Sequence, residues 1–196
     1  DYFGDKYVRD NFRANVTADV NKFITLSLKT SFVQENDDQP NNGGSTTGGN
    51  WFHQIARIWP VVPLIDPNGG YEANSGVPLI QQGGRNISRD NQSRISGDIT
   101  IKPLPGWDIT GHYNYDYESY NQTSSTLPFY SSMVSNPQTL SNTITSVNKN
   151  YGLTNYYNYN VFTSYEKTID GHYFKIQVGQ QTEQKTYSNI FGYNQY

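Results

Sequence analysis

The sequence of 196 residues predicts an all-β fold, an antiparallel transmembrane β-barrel segment of about six strands arranged as three hairpins. Three observations support this prediction. Apolar residues recur at every second position of each predicted strand, tight turns join the two strands of each pair, and long polar segments separate the pairs. Short turns at one edge of a sheet and long loops at the other are typical of barrels that cross a membrane.

The first predicted hairpin turns at Asn21 and Lys22. Consecutive side chains of a strand point to opposite faces of the sheet, so alternation along the sequence separates two sets of residues. The first set is Phe12, Ala14, Val16, Ala18, Val20, Ile24, Leu26, Leu28, Thr30 and Phe32. The second set is Arg13, Asn15, Thr17, Asp19, Thr25, Ser27, Lys29 and Ser31. The pattern therefore predicts one apolar face and one hydrogen-bonding face.

The second predicted hairpin runs from about residue 94 to residue 117 and turns within residues 102–106, where two prolines and a glycine supply turn geometry. Its apolar face carries Ile95, Gly97, Ile99, Ile101, Trp107, Ile109, Gly111, Tyr113, Tyr115 and Tyr117. The second strand begins with Trp and ends with Tyr. Ten residues at roughly 3.3 Å each, tilted by about 40°, rise about 25 Å, which is the height of the lipid-facing band between two aromatic girdles.

The third predicted hairpin runs from about residue 157 to residue 182 and turns within residues 167–171. One face carries Tyr157, Tyr159, Val161, Thr163, Tyr165, Phe174, Ile176 and Val178. The alternation is less regular here, because Phe162 and Tyr173 fall among the polar positions. The pattern still favours a strand pair of the same kind.

Residues 34–90 and 119–155 are predicted to be long extracellular loops, because they are rich in Asn, Ser, Thr, Gly and Gln. The first loop holds a predicted short helix at residues 50–59, which Asn50 caps and Pro60 ends. Residues 66–70, Asp-Pro-Asn-Gly-Gly, predict a turn. We interpret this turn as part of the packing of the loop rather than as a calcium site.

The composition fits a barrel wall and excludes several other classes. A mean hydropathy of −0.75 is compatible with a spanning barrel, because only every second side chain of a strand faces lipid. A spanning helix needs about 20 consecutive apolar residues, and the longest apolar stretch, residues 58–65, is interrupted by Pro60 and Pro63. The absence of cysteine excludes a disulfide scaffold, and the net charge of −3 gives no reason to expect nucleic-acid binding.

No arrangement of residues predicts catalysis, a cofactor or a metal site. The histidines His53, His112 and His172 are separated by whole strands and loops, without metal-ligand spacing. Asp98 and Asp108, with Arg94 and Lys102 nearby, predict a salt-bridge network on the wall rather than an acid and base pair. The candidates for lumen-facing residues, which could contact a plug, are Arg13, Lys29, Arg94, Asp98, Lys102, Asp108, His112, Asp116 and Glu118.

A cluster of large side chains in the first loop, Trp51, Phe52, Arg57 and Trp59, offers candidates for contact with a substrate or a partner protein. Aromatic rings stack on sugars and exclude water at interfaces. The alternative is that the cluster anchors the loop by packing on other loops. The sequence leaves both interpretations open.

Four stretches of the chain resemble the SusC/RagA family of TonB-linked outer-membrane transporters. They are NFRANVTADVNKFITL (residues 11–26), WFHQIARIWPVVPLIDPNGGY (51–71), SGDITIKPLPGWDITGHYNYDY (96–117) and YEKTIDGHYFKIQVGQQTE (165–183). Their order of turn, loop helix, strand and turn spans most of the chain. The most specific element is the Trp-containing loop followed by a Pro-Asn-Gly turn.

The resemblance implies a barrel of about 22 strands with an N-terminal plug, in the outer membrane of a Gram-negative cell. It also implies coupling to TonB, a SusD-like surface lipoprotein as partner, outer-membrane lipid around the wall, and an oligosaccharide or peptide as substrate. Six strands without a plug cannot close such a barrel, so we expect residues 1–196 to be an internal segment without a signal peptide. The alternative is a secreted all-β adhesin or glycan-binding module that uses the same 17 tyrosines.

Overall fold

The computed structural model describes residues 4–41, 56, 58–140 and 142–196. They include an open antiparallel sheet and a small unit called the loop domain, which consists of residues 58–84, 127–140 and 142–145. The strands are β1 (Lys6–Asn21), β2 (Ile24–Pro40), β3 (Arg85–Leu104), β4 (Trp107–Thr126), β5 (Tyr130–Met133), β6 (Asn136–Leu140), β7 (Ser146–Ile169) and β8 (His172–Gln195). Within residues 58–84, a 3₁₀ turn (Ala73–Ser75) and a short helix (Val77–Gln82) lie between β2 and β3. Six strands pair in the order β1-β2-β3-β4-β7-β8, and β5 pairs with β6. The predicted fold class, an antiparallel barrel segment of three hairpins, is confirmed.

The register of the sheet brings the predicted apolar residues of different strands together. One line across the sheet runs through Val16, Leu28, Gly97, Tyr113 and Tyr159, each directly opposite the next. The residues that continue this face form the apolar band, whose face is called the outward face. They are the even-numbered residues of 12–20, 24–32 and 174–178 and the odd-numbered residues of 95–101, 107–117 and 157–165. Val16 is 61% exposed and Ile176 is 70% exposed, so the chain itself covers little of the band.

The three hairpin turns differ from the sequence prediction: the first is shifted by one residue, and the other two are shorter. The first uses Lys22 and Phe23 rather than Asn21 and Lys22, because the Asn21 side chain accepts a hydrogen bond from the Phe23 backbone N at 2.8 Å. The third uses only Asp170 and Gly171, both with positive φ, at 48° and 81°. Two such residues build the type I′ turn whose twist matches a hairpin.

The second turn is also shorter than predicted. It consists of the residues between β3 and β4, at positions 105 and 106, whereas the sequence placed it within residues 102–106. Proline at the first position and a glycine with φ of 79° at the second fit a type II turn. A Cβ atom on Gly106 would lie 2.3 Å from the Glu166 carbonyl oxygen, so the neighbouring strand also requires glycine there.

The irregular alternation of the third hairpin has a packing explanation. Phe162 lies directly opposite Gly179 on the polar face, where a Cβ atom on Gly179 would lie 2.8 Å from Phe162 Cβ. The missing side chain therefore leaves room for the ring. The Tyr173 hydroxyl donates to Glu166 Oε2 at 2.7 Å, which gives this second misplaced aromatic residue a polar partner.

All six strands of the large sheet continue beyond the apolar band, which corrects the predicted hairpin and loop bounds. The loop-side extension comprises residues 6–11, 33–40, 85–92, 118–126, 146–154 and 187–195. Its outer face is polar: Gln34 Nε2 donates to Asn91 Oδ1 at 2.7 Å, and Asn91 Nδ2 donates to Ser119 Oγ at 3.2 Å. Because both faces are mostly polar here, alternation disappears from the sequence. Residues 34–40, 85–90, 119–126 and 146–154 of the extension were therefore predicted to be loop.

The predicted loop helix at residues 50–59 lies largely outside the described residues. The hydrophobic core is small and sits in the loop domain, where Val77 and Ile80 are 7% and 4% exposed. No helix among the described residues combines the length and the apolar character needed to cross a bilayer.

Candidate functional site

The register places eight of the nine predicted lumen residues on one face of the sheet, here called the polar face. Lys102 lies in β3 next to an irregularity of the register that begins after Ile101. The other eight are Arg13, Lys29, Arg94, Asp98, Asp108, His112, Asp116 and Glu118, all at positions opposite to those of the apolar band. Contact between these side chains and a plug stays a prediction.

Asp98 is the centre of a three-residue cluster on the polar face. Lys29 Nζ lies 3.1 Å from Asp98 Oδ2, and His112 Nδ1 lies 2.5 Å from Asp98 Oδ1. The three side chains come from the neighbouring strands β2, β3 and β4. The cluster joins these strands near the middle of the apolar band.

The predicted salt-bridge network exists with different members. Arg94 binds Asp116 through two parallel contacts, Nε to Oδ1 at 2.6 Å and Nη2 to Oδ2 at 3.1 Å. The two residues are directly opposite in β3 and β4, which favours this pair over Arg94 with Asp98 on the same strand. Among the described residues, the side chains of Arg13, Lys102 and Asp108 form no hydrogen bond or ion pair.

Charge on the polar face changes along the strands. In the three lines of residues around the midpoint of the loop-side extension, four carboxylates (Glu35, Asp37, Asp90 and Glu118) face one guanidinium (Arg9) among the described residues. In the three lines toward the turns, four cations (Arg13, Lys29, Arg94 and Lys185) face three carboxylates (Asp98, Asp116 and Glu183). The polar face is therefore acidic in the first three lines, while cations exceed carboxylates by one in the other three.

Asp66 organises the loop domain, and the turn predicted at residues 66–70 is confirmed. Asp66 is 4% exposed, and its carboxylate accepts hydrogen bonds from the backbone N of Asn68 at 2.9 Å and of Gly70 at 3.3 Å. Ser132 Oγ donates to Asp66 Oδ2 at 2.7 Å. Burial alone raises the pKa of Asp66, but the hydrogen bonds from Ser132, Asn68 and Gly70 outweigh it and lower the pKa below its ordinary value.

The two loops are joined into one unit through the β5–β6 hairpin. Ser132 N donates to Tyr71 O at 2.8 Å, and Glu72 forms a parallel β-bridge with Ser132. The Tyr130 backbone N donates to Gln82 Oε1 at 3.2 Å. Residues 119–155 were predicted to be one loop, so this hairpin, which turns at positions 134 and 135, was missed.

The aromatic loop candidates are described only in part. Trp51, Phe52 and Arg57 lie outside the described residues. Trp59 is 74% exposed, and its carbonyl oxygen accepts a hydrogen bond from Val62 N at 2.9 Å. Contact of the Trp59 ring with a substrate or partner, and its packing on other loops, both stay predictions.

A cavity of about 380 Å³ on the acidic part of the polar face was missed by sequence reasoning. Its walls include Asp90, Tyr120, Gly152 and Tyr187. All four belong to the loop-side extension, and three of them fall in segments that were predicted to be loop. No group of three or more His, Asp or Glu residues suited to a metal ion occurs in the described part of the chain.

The similarity of the chain to known proteins lies in its fold. No protein-family model matches it, and no curated protein matches it by sequence. It is similar to the solved RagAB peptide transporter, with a TM-score of 0.71 at 15% identity over 97% of this chain and 22% of that one. It is also similar to the RagAB peptide importer in the "open-open" state, with a TM-score of 0.75 at 15% identity over 97% and 21% of the two chains. The chain thus spans about a fifth of the solved chains, and the SusC/RagA-like barrel segment inferred from its sequence is confirmed at the level of the fold.

Proposed function

We propose that this chain forms part of the wall and extracellular mouth of a TonB-dependent outer-membrane transporter that imports a nutrient, either an oligosaccharide or a peptide. The observation that carries this proposal is the fold similarity over 97% of the chain to proteins described as a peptide transporter and importer. In such a protein the segment binds no cofactor and performs no covalent chemistry. Its work is to separate lipid from an aqueous path.

The two faces of the sheet support a wall between lipid and water. Aromatic residues stand at both ends of the outward face of β4, Trp107 near the turn and Tyr117 near the loops. Trp107 Nε1 donates to Thr163 Oγ1 at 2.7 Å, so the indole can sit at the membrane boundary with its donor satisfied. A secreted adhesin or glycan-binding module would have to expose the whole apolar band to water, which disfavours that alternative.

We propose two protein partners for the transporter, a surface lipoprotein and TonB. We assign the contact with a SusD-like surface lipoprotein to the loop domain, where Trp59 is exposed, and the coupling to TonB to a part of the protein beyond this chain. In the full-length protein, replacing Trp51 and Trp59 by alanine should weaken co-purification of the lipoprotein or reduce uptake. Unchanged lipoprotein binding and uptake, with lower barrel stability, would instead indicate that the aromatic cluster only packs the loop.

Transport is tested in cells that produce the full-length protein. Deleting its gene, or the gene for TonB, should abolish growth on the same set of peptides or oligosaccharides. The purified protein should require detergent and should run faster on a gel before heating than after it. A protein that stays soluble without detergent, with no growth defect in the deletion strain, contradicts the proposal and favours the secreted module.

A further inference from the structure

The 380 Å³ cavity on the polar face is built by residues of all six strands of the large sheet. One line of the register runs through Glu35, Asp90, Tyr120 and Gly152, each directly opposite the next. Tyr187 of β8 contributes from the adjoining line. Because these strands are fixed by continuous backbone pairing, the cavity is a feature of the rigid sheet rather than of a loop.

Gly152 leaves the space that the cavity occupies between two tyrosines. A Cβ atom on Gly152 would lie 3.7 Å from the Tyr187 hydroxyl oxygen and 3.8 Å from Tyr120 Cβ. These are ordinary contact distances, and the φ angle of Gly152 is not positive, so neither strain nor a clash requires glycine at this position. The effect of glycine is to leave an open gap beside the tyrosines, which a large side chain would fill.

Asp90 supplies a negative charge that the chain does not neutralise. Its neighbour Glu35 is paired with Arg9, whose Nε lies 3.1 Å from Glu35 Oε1. Asp90 itself has neither a hydrogen bond nor an ion pair among the described residues, and it stands directly opposite Glu35. A partly buried carboxylate next to another carboxylate is stabilised by a cation brought close to both.

We infer that this cavity is a subsite for a cationic group of the substrate, an alkylammonium or a guanidinium. The inference rests on the proposed transport function and specifies one chemical feature of what is transported. Asp90 pairs with the charge, while Tyr120 and Tyr187 contact the methylene groups and the cation. Its place between the loops and the apolar band makes it an early wall contact for a substrate that enters from outside.

Other ligand classes fit the cavity less well. An anion would meet the carboxylates of Asp90, Glu35 and Glu118, and Arg9 is already engaged by Glu35. A neutral sugar could use the tyrosines, but it would leave Asp90 uncompensated. A basic peptide side chain and an amino sugar share the required chemistry, so the experiment separates these two sources.

The test measures binding to the full-length transporter in detergent by isothermal titration calorimetry. Two matched probe pairs are used: an alanine pentapeptide with a central lysine or norleucine, and a tetramer of glucosamine or of N-acetylglucosamine. We expect one charged probe to bind about tenfold tighter than its neutral counterpart. The pair that shows the preference identifies the source of the cation.

Three variants distinguish loss of the cation subsite from misfolding and from loss of a carboxylate elsewhere on the polar face. Asp90→Asn should remove the preference, and Gly152→Leu should weaken binding of the charged probe about tenfold by filling the gap. Asp37→Asn is the matched control, because Asp37 is a carboxylate on the same face, outside the cavity wall. It should keep the preference. Heat-dependent gel mobility of each variant verifies that the barrel is folded.

Two results would overturn the inference: equal affinity within both probe pairs, or a preference that survives in folded Asp90→Asn protein. Either result, combined with TonB-dependent growth, rejects the cation subsite and leaves the transport function standing. A preference that Asp90→Asn removes, in a protein without TonB-dependent uptake, rejects the transport function and leaves a cation-binding wall.

Discussion

The apolar band and the loop-side extension belong to the same strands but are stabilised differently. In the band, one face is apolar and the other carries ion pairs, such as Arg94 with Asp116. In the extension both faces are polar, and on the outer face side-chain amides and hydroxyls connect neighbouring strands, as Gln34, Asn91 and Ser119 do. Backbone pairing continues through both regions. In the proposed transporter, this difference corresponds to lipid outside the wall at the height of the band and water at the height of the extension.

The largest expected effect comes from comparing one arginine placed in the band with another placed in the extension of the same strand. Ile99 and Ile87 are both on the outward face of β3, at 40% and 47% exposure, and Ile99 lies in the band while Ile87 lies in the extension. Ile99→Arg should destabilise the folded protein by about 2–4 kcal/mol, because arginine would face the bilayer interior. Ile87→Arg should change stability by less than about 0.5 kcal/mol. Denaturant titration in lipid vesicles measures both, and equal effects would mean that the two heights face the same solvent.

A second expected effect is confined to the loop domain. The Asp66 carboxylate accepts hydrogen bonds from Ser132, Asn68 and Gly70. Asp66→Asn replaces this carboxylate by a neutral amide, which is a weaker acceptor, so the junction between the two loops should open more often. Hydrogen exchange should become faster in residues 64–84 and 130–140 and stay unchanged in the large sheet. Faster exchange throughout the sheet would show that the loop domain also supports the wall.

The same junction should depend on pH. The folded-state pKa of Asp66 is below its ordinary value of 3.8, so the charged carboxylate stabilises the folded loop. This stabilisation is fully present above the ordinary value and is lost as the pH falls through the lowered folded-state pKa. Exchange in the loop should therefore accelerate in that acidic range in the wild type, and the acceleration should be smaller in Asp66→Asn.

The smallest expected effect concerns the polar face of the band. Arg94 is 54% exposed at its side chain and Asp116 is 14% exposed, so solvent screens part of their attraction. A double-mutant cycle with Arg94→Met and Asp116→Asn should give a coupling free energy of about 0.5–1 kcal/mol. The cycle uses the same denaturant titration. A coupling of several kcal/mol would mean that the wall is dry at this height.

The difference between the regions also explains what the sequence could predict. Alternation from Phe12 to Phe32 and from Ile95 to Tyr117 predicted the hairpins and their faces, because a lipid-facing surface requires apolar residues at every second position. The Asp66 turn was predictable from its Pro and Gly content. Near the loops both faces of the sheet are mostly polar, so no periodicity distinguishes the strand from the loop.

The candidate site was predictable to a smaller extent. Parity along single strands placed residues such as Asp98 and His112 on one face, but their ion-pair partners depended on which strands are neighbours. The cavity at Asp90, Tyr120, Gly152 and Tyr187 combines four strands from distant parts of the sequence. Patterns within one sequence do not show which residues of different strands are paired. The cavity could therefore be found only from the strand pairing in the structure.

The central claim, that this sheet is a wall between lipid and an aqueous lumen, is tested most directly by single-cysteine labelling. This chain contains no cysteine of its own, so each introduced thiol reports one position. In the full-length protein in membranes, cysteines at Arg13 and Asp98 should react with a water-soluble maleimide, while cysteines at Val16 and Ile99 should be protected until detergent replaces the lipid. Rapid aqueous labelling at Val16 and Ile99, with protection at Arg13 and Asp98, would contradict the account.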